Sequence, residues 1–143
     1  MPYTANRAFP IFSPAGVSTL SSAIIVNNDW LKDAKRQDAL KRFLRASQRG
    51  WDYADKHRDE AADIFLKHAK AFNKEIALLE INGTMTIIHT KHSQGKPLFW
   101  SAKEDWQESQ DLLQKYAKMP PEPDMGKYYT NDYLADAPYL ANK

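Results

Sequence analysis

The chain contains no cysteine, which excludes disulfides, thiolate metal sites and cysteine nucleophiles in one step. It also has no run of apolar residues long enough to cross a bilayer, and its start, MPYTANRAFP, has no apolar signal core. Glycine is scarce, five in 143 residues, and neither G-x-G-x-x-G nor G-x-x-x-x-G-K-[ST] occurs, so a glycine-rich nucleotide cradle is unsupported. Net charge is low as well: +2 does not by itself call for a nucleic-acid partner. No pair of acidic residues stands out as a general acid and base, and Ser21, Ser22 and Ser47 lack the setting of a nucleophile. What remains is one ordinary domain's worth of chain, 43% hydrophobic and 27% charged, with a generous supply of aromatics including four Trp and seven Tyr. Such a supply goes into a packed core or a binding cleft.

The segment from Asp38 to Ala54 organises the rest. Leu40, Phe43, Leu44, Ser47, Trp51 and Ala54 recur at the spacing of one helix face, with Phe43 and Trp51 expected in the core. Lys41, Arg42, Arg45 and Arg49 occupy the other face, and Asp38 precedes Arg42 by four residues, the favourable order for a helical ion pair. Together with Lys35, this basic face reads as solvated surface rather than a phosphate track. Gly50 interrupts a good helix at a cost of about 1 kcal/mol, which suggests a close backbone approach there.

Residues 1–18 read as irregular, punctuated by Pro2, Pro10, Pro14 and Gly16. Thr19 to Val26 alternates and is rich in β-branched side chains, which predicts a strand. Asn27-Asn28-Asp29 is a cap cluster for a short helix opening at Trp30 and Leu31. A second helix is expected from about Asp59 to His68, with Asp59 and Glu60 at its positive end. A third begins at Lys74 behind the cap Asn73, and its stripe Ile76, Leu79, Gly83 and Ile87 predicts deep burial. Thr84 to Thr90 taken alone would pass for a strand. Ser101 to Glu104 reads S-x-x-E, a capping box, and opens a fourth helix expected to bury Trp106, Leu112, Leu113 and Tyr116 and to stop before Pro120-Pro121. Thr130 caps a last turn over Asn131 to Leu134.

His89 and His92 form H-x-x-H, with His57 or His68 as the candidate third ligand, but no carboxylate lies at motif spacing. The pattern therefore reads as solvent-facing histidines, with no metal and no cofactor assigned. Trp51 and Trp106 fit core packing at helical spacing, whereas Trp100, just before a helix start, is a candidate cleft residue.

The order of segments carries a resemblance. GVSTLSSAIIVNNDWL, DALKRFLRASQRGWDYADKHRDEAADIFLKHA, WSAKEDWQESQDLLQKYAKM and KYYTNDYL follow one another between Gly16 and Leu134, within a resemblance that covers about residues 9–135. Phe43-Leu44-Arg45-Ala46, Gly50-Trp51, Tyr53-Ala54, Asp59-Glu60-Ala61 and Thr130-Asn131-Asp132-Tyr133-Leu134 match its motifs. This resembles the C-terminal part of the solute-binding proteins that serve ABC transporters for nitrate, sulfonates, taurine and thiamine-pyrimidine precursors. The family pattern N-P-[DE] is replaced here by Lys35-Arg36-Gln37.

The resemblance implies a mainly α chain with one or two short strands, the C-terminal segment of a two-lobe α/β periplasmic-binding-protein fold lacking most of its sheet. It divides the chain into a hinge-like lead (1–18), a helical segment (19–134) and a tail (135–143). It implies capture of a small solute, an ABC permease as partner, a periplasmic location and ligand contacts from Phe12, Ser13, Gly16 and Ser18, to which Trp100 is added. It implies neither an enzyme nor a nucleic-acid binder, and the chain does not span a membrane. Pyrimidine-precursor synthases share the fold, but their reactive residues fall in a region with no counterpart here. With half the cleft absent, the isolated chain is expected to self-associate through its apolar strand. The alternative is a stand-alone helical interaction module without solute binding.

Overall fold

The computed structural model describes residues 23–134 and 139. Asn27 acts as the expected cap: its side-chain oxygen accepts from the amides of Asp29 and Trp30 and opens a 3-10 turn at Trp30–Lys32. Helix α1 runs Ala34–Lys56, starting four residues before the predicted span because Asp33 caps it, accepting from Lys35 N at 2.8 Å. Its buried line is Leu40, Leu44 and Gln48, the i, i+4, i+8 row of one face. Phe43 lies one step off that row and is 56% exposed; the expectation that it enters the core is corrected, and Trp51 is only half-buried. The basic residues Lys35, Arg42, Arg45 and Arg49 are exposed, and Arg42 pairs with Asp38 at 2.9 Å as the spacing foretold.

No glycine ends α1. His57 leaves helical geometry, and α2, Arg58–His68, begins at once. Arg58 holds this corner, donating to the Asp55 carboxylate and to Asn82 of the next helix, both at 2.6 Å. Helix α3, Lys74–Ile87, is capped by Asn73, which accepts from Ile76 N. Helices α2 and α3 pack together, each burying an alanine, Ala62 and Ala77. Small side chains at such positions let helix axes come close. Lys74 ties the pair from outside by bridging Asp59 and Asp63.

The deep burial predicted for α3 is not found. Ala77 and Met85 are its buried residues, while Ile76, Leu79 and Ile87 stay exposed. With Ile64, Phe65 and Phe72 on and after α2, they leave much apolar surface uncovered. The predicted strand fares similarly. Residues 19–22 lie outside the described residues, and 23–26 are unpaired coil with Ile25 93% exposed. Among the described residues there is no strand, so the one or two short strands expected are corrected to none there.

Helix α4 spans Lys103–Ala117 and stops before the two prolines as expected, with Lys118 in the left-handed region. Its capping box does not form: Ala102 is the cap residue and no side chain bonds to the end. Ser101 is instead committed to Asn131. The burial pattern is also rotated from expectation. Asp105 and Gln110 are buried, Trp106 and Leu112 half-buried, and Leu113 and Tyr116 exposed. Gln110 explains part of this rotation, because its Oε1 accepts from Glu122 N at 2.8 Å and holds the returning chain against the helix. A 3-10 turn at Met125–Lys127 follows, burying Met125.

Candidate functional site

The segment between α3 and α4 draws the molecule's polar side chains together. Thr90 and Ser93 knot its start: Thr90 Oγ1 accepts from the amides of His92 and Ser93, and Ser93 Oγ accepts from Thr90 N. Gly95 takes φ 73°, a left-handed conformation that glycine adopts without strain. Phe99 takes φ 74° without that freedom, and it persists because both neighbours are pinned.

Gln48 on α1, 0% exposed, donates from Nε2 to the carbonyl of buried Leu98 at 2.9 Å. Leu98 N donates to Tyr139 O. Asn131 grips Ser101 twice, its Oδ1 accepting from Ser101 N and its Nδ2 donating to Ser101 O, both at 2.9 Å. Thr130 Oγ1 accepts from Asp132 N and Leu134 N closes on Asn131 O, which is the terminal turn read from the sequence. Trp106 lies nearly parallel to Tyr128 and Tyr129, at 5.7 and 5.6 Å between centroids. The Gln48 Oε1 and Trp106 Nε1 atoms are buried with no hydrogen-bond partner among the described residues.

On the outer side of the loop, His92 meets α4. Its Nε2 donates to Glu108 Oε1 at 3.1 Å, and Lys91 Nζ reaches the same oxygen at 2.7 Å. Hydrogen bonding from Lys91, then from His92, holds the Glu108 carboxyl below the usual carboxylate range. Thr90 Oγ1 donates to Asp105 Oδ2 at 2.6 Å. His92, Asp105 and Glu108 thus place a ring nitrogen and two carboxylates within 4.8 Å of one another.

Phe12, Ser13, Gly16 and Ser18 lie outside the described residues. Trp100, half-buried, sits beside the Ser101–Asn131 grip with Lys96 Nζ 5.1 Å from its ring centroid. Of the histidines read as solvent-facing, His57 and His68 are exposed, while His89 and His92 are half-buried. Sequence reasoning missed Gln48, although it stands four and eight residues beyond Leu44 and Leu40 on the buried face. It also missed Asp105 and Glu108, whose i, i+3 spacing on α4 was visible but whose meeting with His92 was not. Gly50 is exposed, with open space where a Cβ would stand, so the close approach inferred for it is corrected.

Among the described residues the regular structure is helical, a polar network gathers on the loop between α3 and α4, and apolar side chains of α2 and α3 are exposed. The comparisons with known proteins add one similarity. A family model described as NMT1/THI5 like matches residues 7–61, a stretch that ends in the first turn of α2 and includes all of α1. No curated protein and no solved structure matched the chain. The match supports the nitrate, sulfonate and thiamine-precursor binding proteins as the related group, in a coarse sense and over part of the chain. Four of the five motifs behind the resemblance fall inside it; Thr130 to Leu134 does not. Among the described residues, no helix is long and apolar enough to cross a membrane.

Proposed function

We propose that the chain is a helical part of a substrate-binding protein of the nitrate, sulfonate, taurine and thiamine-precursor group. In this reading it serves capture of a small solute in the periplasm for delivery to an ABC permease, and its role is binding rather than catalysis. The observation that carries the reading is the family match over residues 7–61, which takes in the whole of the helix around which the chain folds. Helices without a sheet among the described residues fit a segment that packs on a lobe and completes a cleft only with it. Phe12, Ser13, Gly16, Ser18 and Trp100 are the proposed ligand contacts. The exposed apolar side chains Phe65, Phe72, Ile76 and Leu79 favour a second reading, a stand-alone helical module that binds another protein through this surface.

Light scattering and thermal melts of the purified chain separate the two. On the solute-binding reading the chain alone self-associates and ignores taurine, nitrate and a pyrimidine precursor. Mixed with the first lobe of a binding protein from this group, it forms a discrete complex whose melting temperature rises with one of those solutes. A monomer that melts cooperatively and is indifferent to lobe and solute would overturn the proposal in favour of the module. Micromolar binding by the chain alone would overturn the incomplete cleft.

A further inference from the structure

Asp105 is a carboxylate only 6% exposed, and no cation pairs with it among the described residues; its partner is the neutral hydroxyl of Thr90. A buried charge held by a single neutral donor is costly unless something positive offsets it. Beside it, Glu108 brings a second negative charge, and Lys91 offsets only one of the two. The third group facing the gap is not acidic but the Nε2 atom of His92.

We propose that His92, Asp105 and Glu108 form a divalent transition-metal site suited to zinc, an assignment independent of the solute-binding reading. The donor set decides the ion. Calcium and magnesium take oxygen ligands, whereas an imidazole nitrogen joined to carboxylates suits zinc and its neighbours in the first transition row. The dimensions agree. Ligands around a tetrahedral zinc at ordinary bond lengths stand about 3.3 Å apart; His92 Nε2 and Glu108 Oε1 are already at 3.1 Å. The three donors lie within 4.8 Å, so closing the Asp105 corner takes a side-chain movement of about 1–2 Å. The Thr90 hydroxyl, donating to Asp105 Oδ2, orients that carboxylate, as hydrogen-bond donors to metal-binding carboxylates do. Three protein ligands leave a position for water or an external donor. Lys91 occupies Glu108 in the metal-free state and must swing away, while His92 binds as a neutral imidazole whose N–H is carried on Nδ1, leaving the Nε2 lone pair for the metal.

Zinc chloride titrated calorimetrically into the full chain, with cobalt(II) absorption as the spectroscopic readout, tests the site. One saturable zinc per chain is expected. His92→Ala and Glu108→Gln, both at half-exposed positions, should each weaken it by about tenfold or more and abolish the cobalt bands of a four- or five-coordinate ion. Far-UV circular dichroism checks that both variants keep their helices, and Asp105→Asn provides a third, near-isosteric loss. Lys91→Ala should tighten binding several-fold, because it frees Glu108 of its resident cation. Absence of saturable zinc binding would overturn the assignment. So would binding that survives His92→Ala and Glu108→Gln unchanged, or that weakens in Lys91→Ala.

Discussion

Gly50 and Gly83 offer a direct test of whether the outer faces of α1 and α3 are free. Both lie inside helices, both are exposed, and beyond the helix's own backbone and the adjoining residues nothing stands within 4 Å of where a Cβ would be. Replacing either with alanine therefore adds no clash and removes the conformational penalty of a helical glycine, about 0.8–1.0 kcal/mol. For a chain of this length the unfolding entropy is roughly 0.3 kcal/mol per kelvin, so each substitution should raise the melting temperature by about 3 °C. The sites lie on different helices, so Gly50→Ala with Gly83→Ala should approach additivity, about 5–6 °C. Gly95→Ala is the control of opposite sign. At φ 73° an alanine is held in the left-handed region, and the variant should lose about 1–2 kcal/mol. Thermal denaturation followed by far-UV circular dichroism reads all four proteins. If Gly50→Ala destabilised the chain, something would press on that face of α1, and the open space read from the structure would be wrong.

Gln48→Ala should destabilise by about 2–4 kcal/mol in urea, because it orphans the buried Leu98 carbonyl and leaves a cavity. Phe43→Ala, at an exposed position, should cost under about 1 kcal/mol; the reverse ranking would mean that α1 is rotated. A third expectation concerns acid. Hydrogen bonding from Lys127, then from the Asp124 amide, holds Glu122 below its ordinary value of 4.5. A depressed carboxyl stabilises the fold above that ordinary value, and the contribution disappears as pH falls through the folded-state value. The gap in urea midpoint between the native chain and Glu122→Ala should accordingly narrow between about pH 7 and pH 3. A gap that widens on acidification would show that the ion pair is absent.

Local chemistry in the sequence was enough to place the helices. Asn27, Asn73 and Thr130 accept from the amides their positions promised, and Asp38 pairs with Arg42, because caps and i, i+4 pairs involve only neighbours along the chain. The α-helical class followed from the same periodicity, and the family match falls on the segment where the motifs are densest. Burial was another matter. Periodicity defines a stripe but not the few tens of degrees of rotation that set Leu40, Leu44 and Gln48 inside and Phe43 out. Nor does it say whether a neighbour exists to cover Ile76, Leu79 and Ile87. Ser101 shows the same limit, since a capping box is overruled once Asn131, thirty residues away, claims its backbone. The meeting of His92 with Asp105 and Glu108 belongs wholly to tertiary structure: the loop that brings them together is held by Gln48 and Asn131, whose hydrogen bonds to backbone leave no periodic trace in a sequence.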